Sequence, residues 1–188
     1  LNSMFIDVHC HIEMIEKSIE EIVGNAKKAG VGLILASAVH PGVTRKVLEW
    51  AEKFSEIKPS LGIYPIEALE MGEEKVDEEI KFIEKNKGKI VCIGEVGLEM
   101  KEAGPETLES QKRTFGKFID LSMKINKPIL VHSRKGEKEA IEFLEEKKAK
   151  KVIMHCFFGK RSFIERIVKN GWYLTVPTCV KHNAQMQE

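Results

Sequence analysis

The chain has 188 residues, 43% of them hydrophobic and 31% charged, with 30 Lys and Arg against 29 Asp and Glu for a formal net charge of +1. That balance excludes a protein that coats nucleic acid by charge alone, because such binding needs a basic face to displace counterions. The composition also excludes a disordered or collagen-like chain, and the longest apolar runs, 31–39 and 90–96, fall far short of the roughly 20 residues that span a bilayer. No secretory-type segment opens the sequence, so a cytoplasmic protein without membrane association is expected.

A chain of this length can bury roughly 70% of the surface its unfolded form exposes, and one domain over residues 4–188 is expected. Leu1, Asn2 and Ser3 ahead of Met4 read as a cloning remnant. Cys10, Cys92, Cys156 and Cys179 lie far apart with no C-x-x-C pair, which predicts small buried side chains in place of a disulfide frame or zinc knuckle.

Along the chain, short apolar runs alternate with segments of helical spacing. Strands are predicted at 4–9, 32–39, 60–64, 90–96, 128–132, 151–156 and 172–176. Most are continuously apolar, as expected of strands covered on both faces of a parallel sheet. A helix is predicted over 13–29, ending at Gly30, and others over 43–54, 73–86, 137–146 and 161–169. Pro105 opens the longest helix, where Leu108, Phe115, Ile119, Met123 and Ile125 share a face before Pro128 forbids continuation. Strict βα alternation leaves an open doubly wound sheet or a closed barrel. The first strand ends in Asp7-Val8-His9-Cys10-His11 with no glycine-rich turn, and later strands each end in a single His or Glu. This favours a TIM-type (β/α)8 barrel, in which functional groups stand at the strands' C-terminal ends.

Strand alternation sends Asp7, His9 and His11 to one side. Two adjacent imidazoles are half a metal site, and Glu95, His132 and His155 at the ends of three further apolar runs can complete it. These five residues suffice for two divalent ions if Glu95 bridges them. Paired ions can generate a hydroxide and clamp the oxygens of a phosphoryl displacement. Five ionisable side chains at the ends of four strands are hard to account for as packing, since burying them unpaired costs free energy. His40, before Pro41-Gly42, and His182, near the chain end, lack this context and read as structural.

The same segments resemble those of a known family, the TatD-type metal-dependent deoxyribonucleases of the metallo-dependent hydrolase superfamily. Asp7-Val8-His9-Cys10-His11 is similar to the family's D-x-H-x-H, and Gly94-Glu95-Val96-Gly97-Leu98 to its G-E-I-G-L. Gln111 and Phe115 match the following helix, Pro128 to Arg134 resembles P-V-I-I-H-S-R, and His155-Cys156-Phe157-Phe158-Gly159 resembles H-C-F-S-G. The resemblance implies two divalent ions (Mg, Mn or Zn), one on His9, His11 and Glu95, with Glu95 bridging to a second on His132 and His155. It also implies hydrolysis of DNA phosphodiester bonds, exonucleolytic in mode, by a metal-bound hydroxide. RNA and the oligomeric state stay open. Arg134, two residues beyond His132, could reach a phosphate as a planar cation, or form a surface ion pair. Lys135, Lys160 and Arg161 could add positive potential but read more simply as solvated residues.

Three departures stand against the family pattern. Tyr64 in Gly62-Ile63-Tyr64-Pro65 replaces the histidine of G-x-H-P, and its ordinary pKa of about 10 makes it a poorer general acid near neutrality. Phe158 replaces a serine. Nothing matches the family's eighth-strand E-T-D segment, whose aspartate is thought to orient or deprotonate the attacking water. A barrel without that strand would keep two unpaired edges, so the natural chain is expected to continue past Glu188. The sequence leaves two alternatives: a metallohydrolase acting on another ester or an amide, and a metal-binding remnant without activity.

Overall fold

A computed structural model describes residues 4–187, so Leu1, Asn2 and Ser3 and their reading as a remnant lie outside the described residues. Among the described residues seven strands, β1 (Phe5–Cys10), β2 (Val31–Ser37), β3 (Ile57–Leu61), β4 (Cys92–Gly97), β5 (Ile129–His132), β6 (Val152–Met154) and β7 (Tyr173–Leu174), form one sheet in sequence order. Every neighbouring pair is parallel. The helices between them are α1 (Ile19–Lys28), α2 (Pro41–Lys53), α3 (Pro65–Met71), α4 (Glu73–Lys85), α5 (Leu108–Lys124), α6 (Glu137–Glu146) and α7 (Arg161–Lys169), and α8 (Ala184–Gln187) follows β7. The sheet curls as seven strands of a TIM-type barrel. All six residues of the central β4 are buried, which is why its sequence, Glu95 apart, is apolar without alternation. Phe115, Phe118 and Ile119 of α5 are almost fully buried and cover its outer side.

Local chemistry explains where the elements differ from their predicted bounds. The helix predicted over 13–29 divides into a short 3-10 turn, Ile12–Met14, and α1, because Ser18 and Glu21 form a capping box. The Glu21 amide donates to Ser18 Oγ at 3.2 Å and the Ser18 amide to Glu21 Oε2 at 3.1 Å, which fixes the helix start at Ile19. The third strand lies three residues earlier than predicted, so Tyr64 falls beyond it, at the N-terminus of α3. That helix was not foreseen, although Pro65 at its first position is a helix-start signal. Pro105 opens a 3-10 turn, Pro105–Thr107, ahead of α5.

None of the four cysteines is in a disulfide. Cys92 is buried as expected, Cys10 and Cys156 are half-buried, and Cys179 is exposed in the 3-10 turn Thr178–His182, contrary to the expectation of burial. Among the described residues β1 pairs only with β2 and β7 only with β6. Apolar side chains are exposed along both edges, with Ile6 at 52% and Val8 at 40% on β1, and Tyr173 at 69% on β7 with Val176 beyond it at 76%. No helix among the described residues is long and apolar enough to cross a membrane.

Candidate metal centre

The C-terminal ends of β1, β4, β5 and β6 bring His9, His11, Glu95, His132 and His155 together. His9 is in β1, but a register irregularity lies between Asp7 and Cys10, so simple alternation does not carry through to His11. His11 stands just past the strand and leads into the turn Ile12–Met14. Asp7 is exposed and accepts the His9 amide at 3.1 Å. His155 follows the last residue of β6, and its amide donates to the Val131 carbonyl at 2.9 Å.

Ser37, at the end of β2 and fully buried, orients both His9 and His11. Its carbonyl accepts from His11 Nδ1 at 3.0 Å, and its Oγ lies 3.2 Å from His9 Nδ1. Both rings thereby turn Nε2 inward. These two atoms are 2.9 Å apart, and Glu95 Oε2 lies 3.3 Å from His9 Nε2 and 3.1 Å from His11 Nε2. The other carboxylate oxygen of Glu95 is 2.9 Å from His132 Nδ1 and 4.0 Å from His155 Nε2. The His9 and His155 rings stack with centroids 3.6 Å apart.

The donor set fits a divalent cation. His9, His11 and Glu95 each offer one atom of a mutually close group suited to a metal ion. Four imidazoles around one buried carboxylate form the mixed nitrogen and oxygen set that such ions prefer. Burial pushes the Glu95 carboxyl upward, but hydrogen bonds from His11, His132 and His9 outweigh it and hold the group well below the usual carboxylate range. Burial likewise opposes the charged forms of His11 and His132, and the Glu95 carboxylate overcomes it, raising both. His155 goes the other way, down to about 4, through burial and the neighbouring His9. Its Nδ1 is buried without a hydrogen-bond partner.

Beside the histidines lies a cleft of about 550 Å³ whose walls include His132, His155, Lys101, Arg134, Lys135 and Phe158. Arg134 lines this cleft, and in this structure its Nη1 donates to Glu102 at 2.9 Å, the surface ion pair that was the alternative to a phosphate contact. His40 caps α2, its Nδ1 accepting the Gly42 amide at 3.1 Å, and His182 ends the exposed 3-10 turn. Two residues went unforeseen, Ser37 and Glu99. Glu99 is fully buried and its Oε2 lies 2.9 Å from His132 Nε2. The spacing Glu95, Gly97, Glu99 repeats the i, i+2 pattern of His9 and His11, a signal that could have found it.

A βα barrel whose strand ends gather four imidazoles around one carboxylate belongs to the class of metal-dependent hydrolases. Residues 6–188 match the family "TatD related DNase", and the chain belongs to that family. The human "Deoxyribonuclease TATDN3" is 30% identical over 195 residues, an alignment covering 97% of this chain and 71% of that protein. An "Uncharacterized metal-dependent hydrolase" of Methanocaldococcus jannaschii is 30% identical over 190 residues, covering 98% of this chain and 73% of the relative. The crystal structure of a TatD homologue from Escherichia coli superposes with a TM-score of 0.82 at 27% identity, covering 90% of this chain and 66% of that one. The chain thus spans about two thirds to three quarters of the proteins it matches.

Proposed function

We propose that the protein hydrolyses DNA phosphodiester bonds with two divalent ions, one held by His9, His11 and Glu95 and a second by Glu95, His132 and His155. The observation that carries this reading is the convergence of four imidazoles on the single buried carboxylate of Glu95. Bound ions would supply Lewis-acid polarisation of a phosphoryl oxygen and activation of water at neutral pH.

The chain's own residues do the positioning. Ser37 fixes the rings of His9 and His11, and Glu95 joins the two halves of the site. Lys101, Arg134 and Lys135 outnumber Glu137 in the lining of the adjoining cleft and give it a net cationic wall for a phosphate backbone, and Arg134 would exchange Glu102 for a phosphate oxygen when substrate enters. Such a wall favours an anionic substrate over a neutral amide. We further propose removal of nucleotides from a strand end and a cytoplasmic location.

The test is hydrolysis of end-labelled oligonucleotides by the purified protein with added Mg²⁺, Mn²⁺ or Zn²⁺. Mononucleotide release is expected, abolished by EDTA and reduced at least about 10²-fold in Glu95→Gln. Cleavage that survives EDTA, or an unimpaired Glu95→Gln enzyme, would overturn the mechanism. Intact oligonucleotides beside hydrolysed chromogenic esters would replace DNA with a smaller substrate.

A further inference from the structure

His132 lies between two carboxylates, with Nδ1 at 2.9 Å from Glu95 and Nε2 at 2.9 Å from Glu99. Glu99 stands just beyond β4 and is fully buried. Its Oε1 accepts the backbone amides of Lys101 at 2.7 Å and Glu102 at 3.1 Å, and its Oε2 accepts the Tyr64 hydroxyl at 3.0 Å. Its backbone is held as firmly. The Glu99 amide donates to Gln111 Oε1 at 2.7 Å, and Gln111 Nε2 returns a bond to the Glu99 carbonyl at 3.0 Å. The carboxylate therefore has one position, set by α5 through Gln111 and by the loop after β4.

We propose that Glu99 is a positioning residue for the second ion of the proposed site, and that it works through His132. A carboxylate can only accept, so a ring nitrogen bonded to it carries the hydrogen. In the metal-free protein both ring nitrogens face carboxylates, and a cation beside Glu95 would displace the hydrogen on Nδ1 while Glu99 retains the one on Nε2. Carboxylates that hold a ligand histidine in this way fix its tautomer and ring orientation and increase its basicity. Tyr64 meets the same two atoms, Glu99 Oε2 and His132 Nε2. Its hydroxyl is 3.0 Å from Glu99 and 3.4 Å from His132 Nε2, which makes it a brace for this pair.

The inference rests on the two-ion reading, and its test separates the two. Mn²⁺ and Zn²⁺ are titrated calorimetrically into the metal-free wild type, Glu99→Gln, Glu99→Asp and Tyr64→Phe, and the His132 ring protons are followed by ¹⁵N-edited NMR. The wild type is expected to take two ions and to show a slowly exchanging proton on His132 Nε2 with and without them. Glu99→Gln is expected to lose about 10- to 100-fold in affinity for one ion only, and to lose that protected proton. Glu99→Asp should recover part of the loss, and Tyr64→Phe should show a smaller loss in the same direction. Should Glu99→Gln fail to fold, Tyr64→Phe and the wild-type spectrum still decide. Wild-type affinities in both Glu99→Gln and Tyr64→Phe, or a bare Nε2 in the wild type, would overturn the inference. A wild type that binds no ion would instead refute the metal site, and the metal-free His132 spectrum would then judge Glu99 by itself.

Discussion

Gly97 and His132 are packed so closely across β4 and β5 that a Cβ on Gly97 would stand 2.0 Å from the His132 carbonyl oxygen. The Gly97 φ of 141° is one that L side chains rarely adopt. The same backbone accepts the Leu98 amide at 2.9 Å, so the contact also carries part of the β4–β5 ladder. Gly97→Ala must move β5 and displace His132. It is expected to destabilise the protein by roughly 3 kcal/mol or more, read from denaturant midpoints. Gly88→Ala is the control, because a Cβ there meets nothing within 4 Å. Equal midpoints for the two variants would show that the approach of β4 to β5 is not under this constraint.

Ser37 gives a narrower handle on the site. Ser37→Ala removes the Oγ partner of His9 Nδ1 but keeps the carbonyl that holds His11. The lost bond should cost about 1 kcal/mol of stability. The freed His9 ring should weaken ion binding about 10-fold, because the group that fixed it is gone. Calorimetric titration beside a thermal melt separates these effects. An unchanged affinity would show that stacking on His155 suffices to orient His9.

The upward shifts of His11 and His132 set the pH dependence of ion binding. Both rings hold protons to higher pH than an ordinary histidine while the site is metal-free, and an entering cation must displace them. Affinity is therefore expected to tighten as pH rises from about 6 to 8, with proton release visible as a dependence of binding heat on buffer ionisation enthalpy. Binding that is flat across that range would contradict proton displacement.

His155 contributes with the opposite sign. Its folded pKa of about 4 lies below the unfolded value of 6.5, so the unfolded chain binds the extra proton first as pH falls. Stability is thus lost between pH 6.5 and about 4, on the order of 3 kcal/mol by the end of that window. The metal-free wild type should lose more stability over this interval than His155→Gln, measured by urea unfolding at each pH. Parallel curves would mean that the folded protein accommodates a charged His155.

The barrel and the five clustered residues were legible because parallel strands buried on both faces must read as apolar runs, and a polar side chain ending such a run stands out. Glu95, His132 and His155 each ended one. Ser37 was not legible, since a serine closing β2 looks like any strand terminus and its role lies half in its carbonyl. Glu99 was obscured by distance from its apolar run, although it keeps the parity of Glu95. The capping box at Ser18 and Glu21 was written in the sequence, but the apolar stripe over Ile15 and Ile19 suggested a longer helix than the cap permits.

β1 has β2 as its sole strand partner among the described residues, and β7 has only β6, and their apolar side chains face outward. Unpaired strand edges with exposed Ile and Val are templates for pairing with another chain, and proteins ordinarily charge or cover them. A polypeptide of these 188 residues is therefore expected to self-associate, with a weight-average mass that climbs across a concentration series in sedimentation velocity. Ile6→Lys combined with Val176→Lys places a charge on each edge at positions 52% and 76% exposed, and should shift the population toward monomer. Because neither side chain is buried, the pair should leave the thermal midpoint nearly unchanged. A wild-type polypeptide that stays monomeric throughout would show that these edges are protected by their own twist and shortness, β7 being only two residues long.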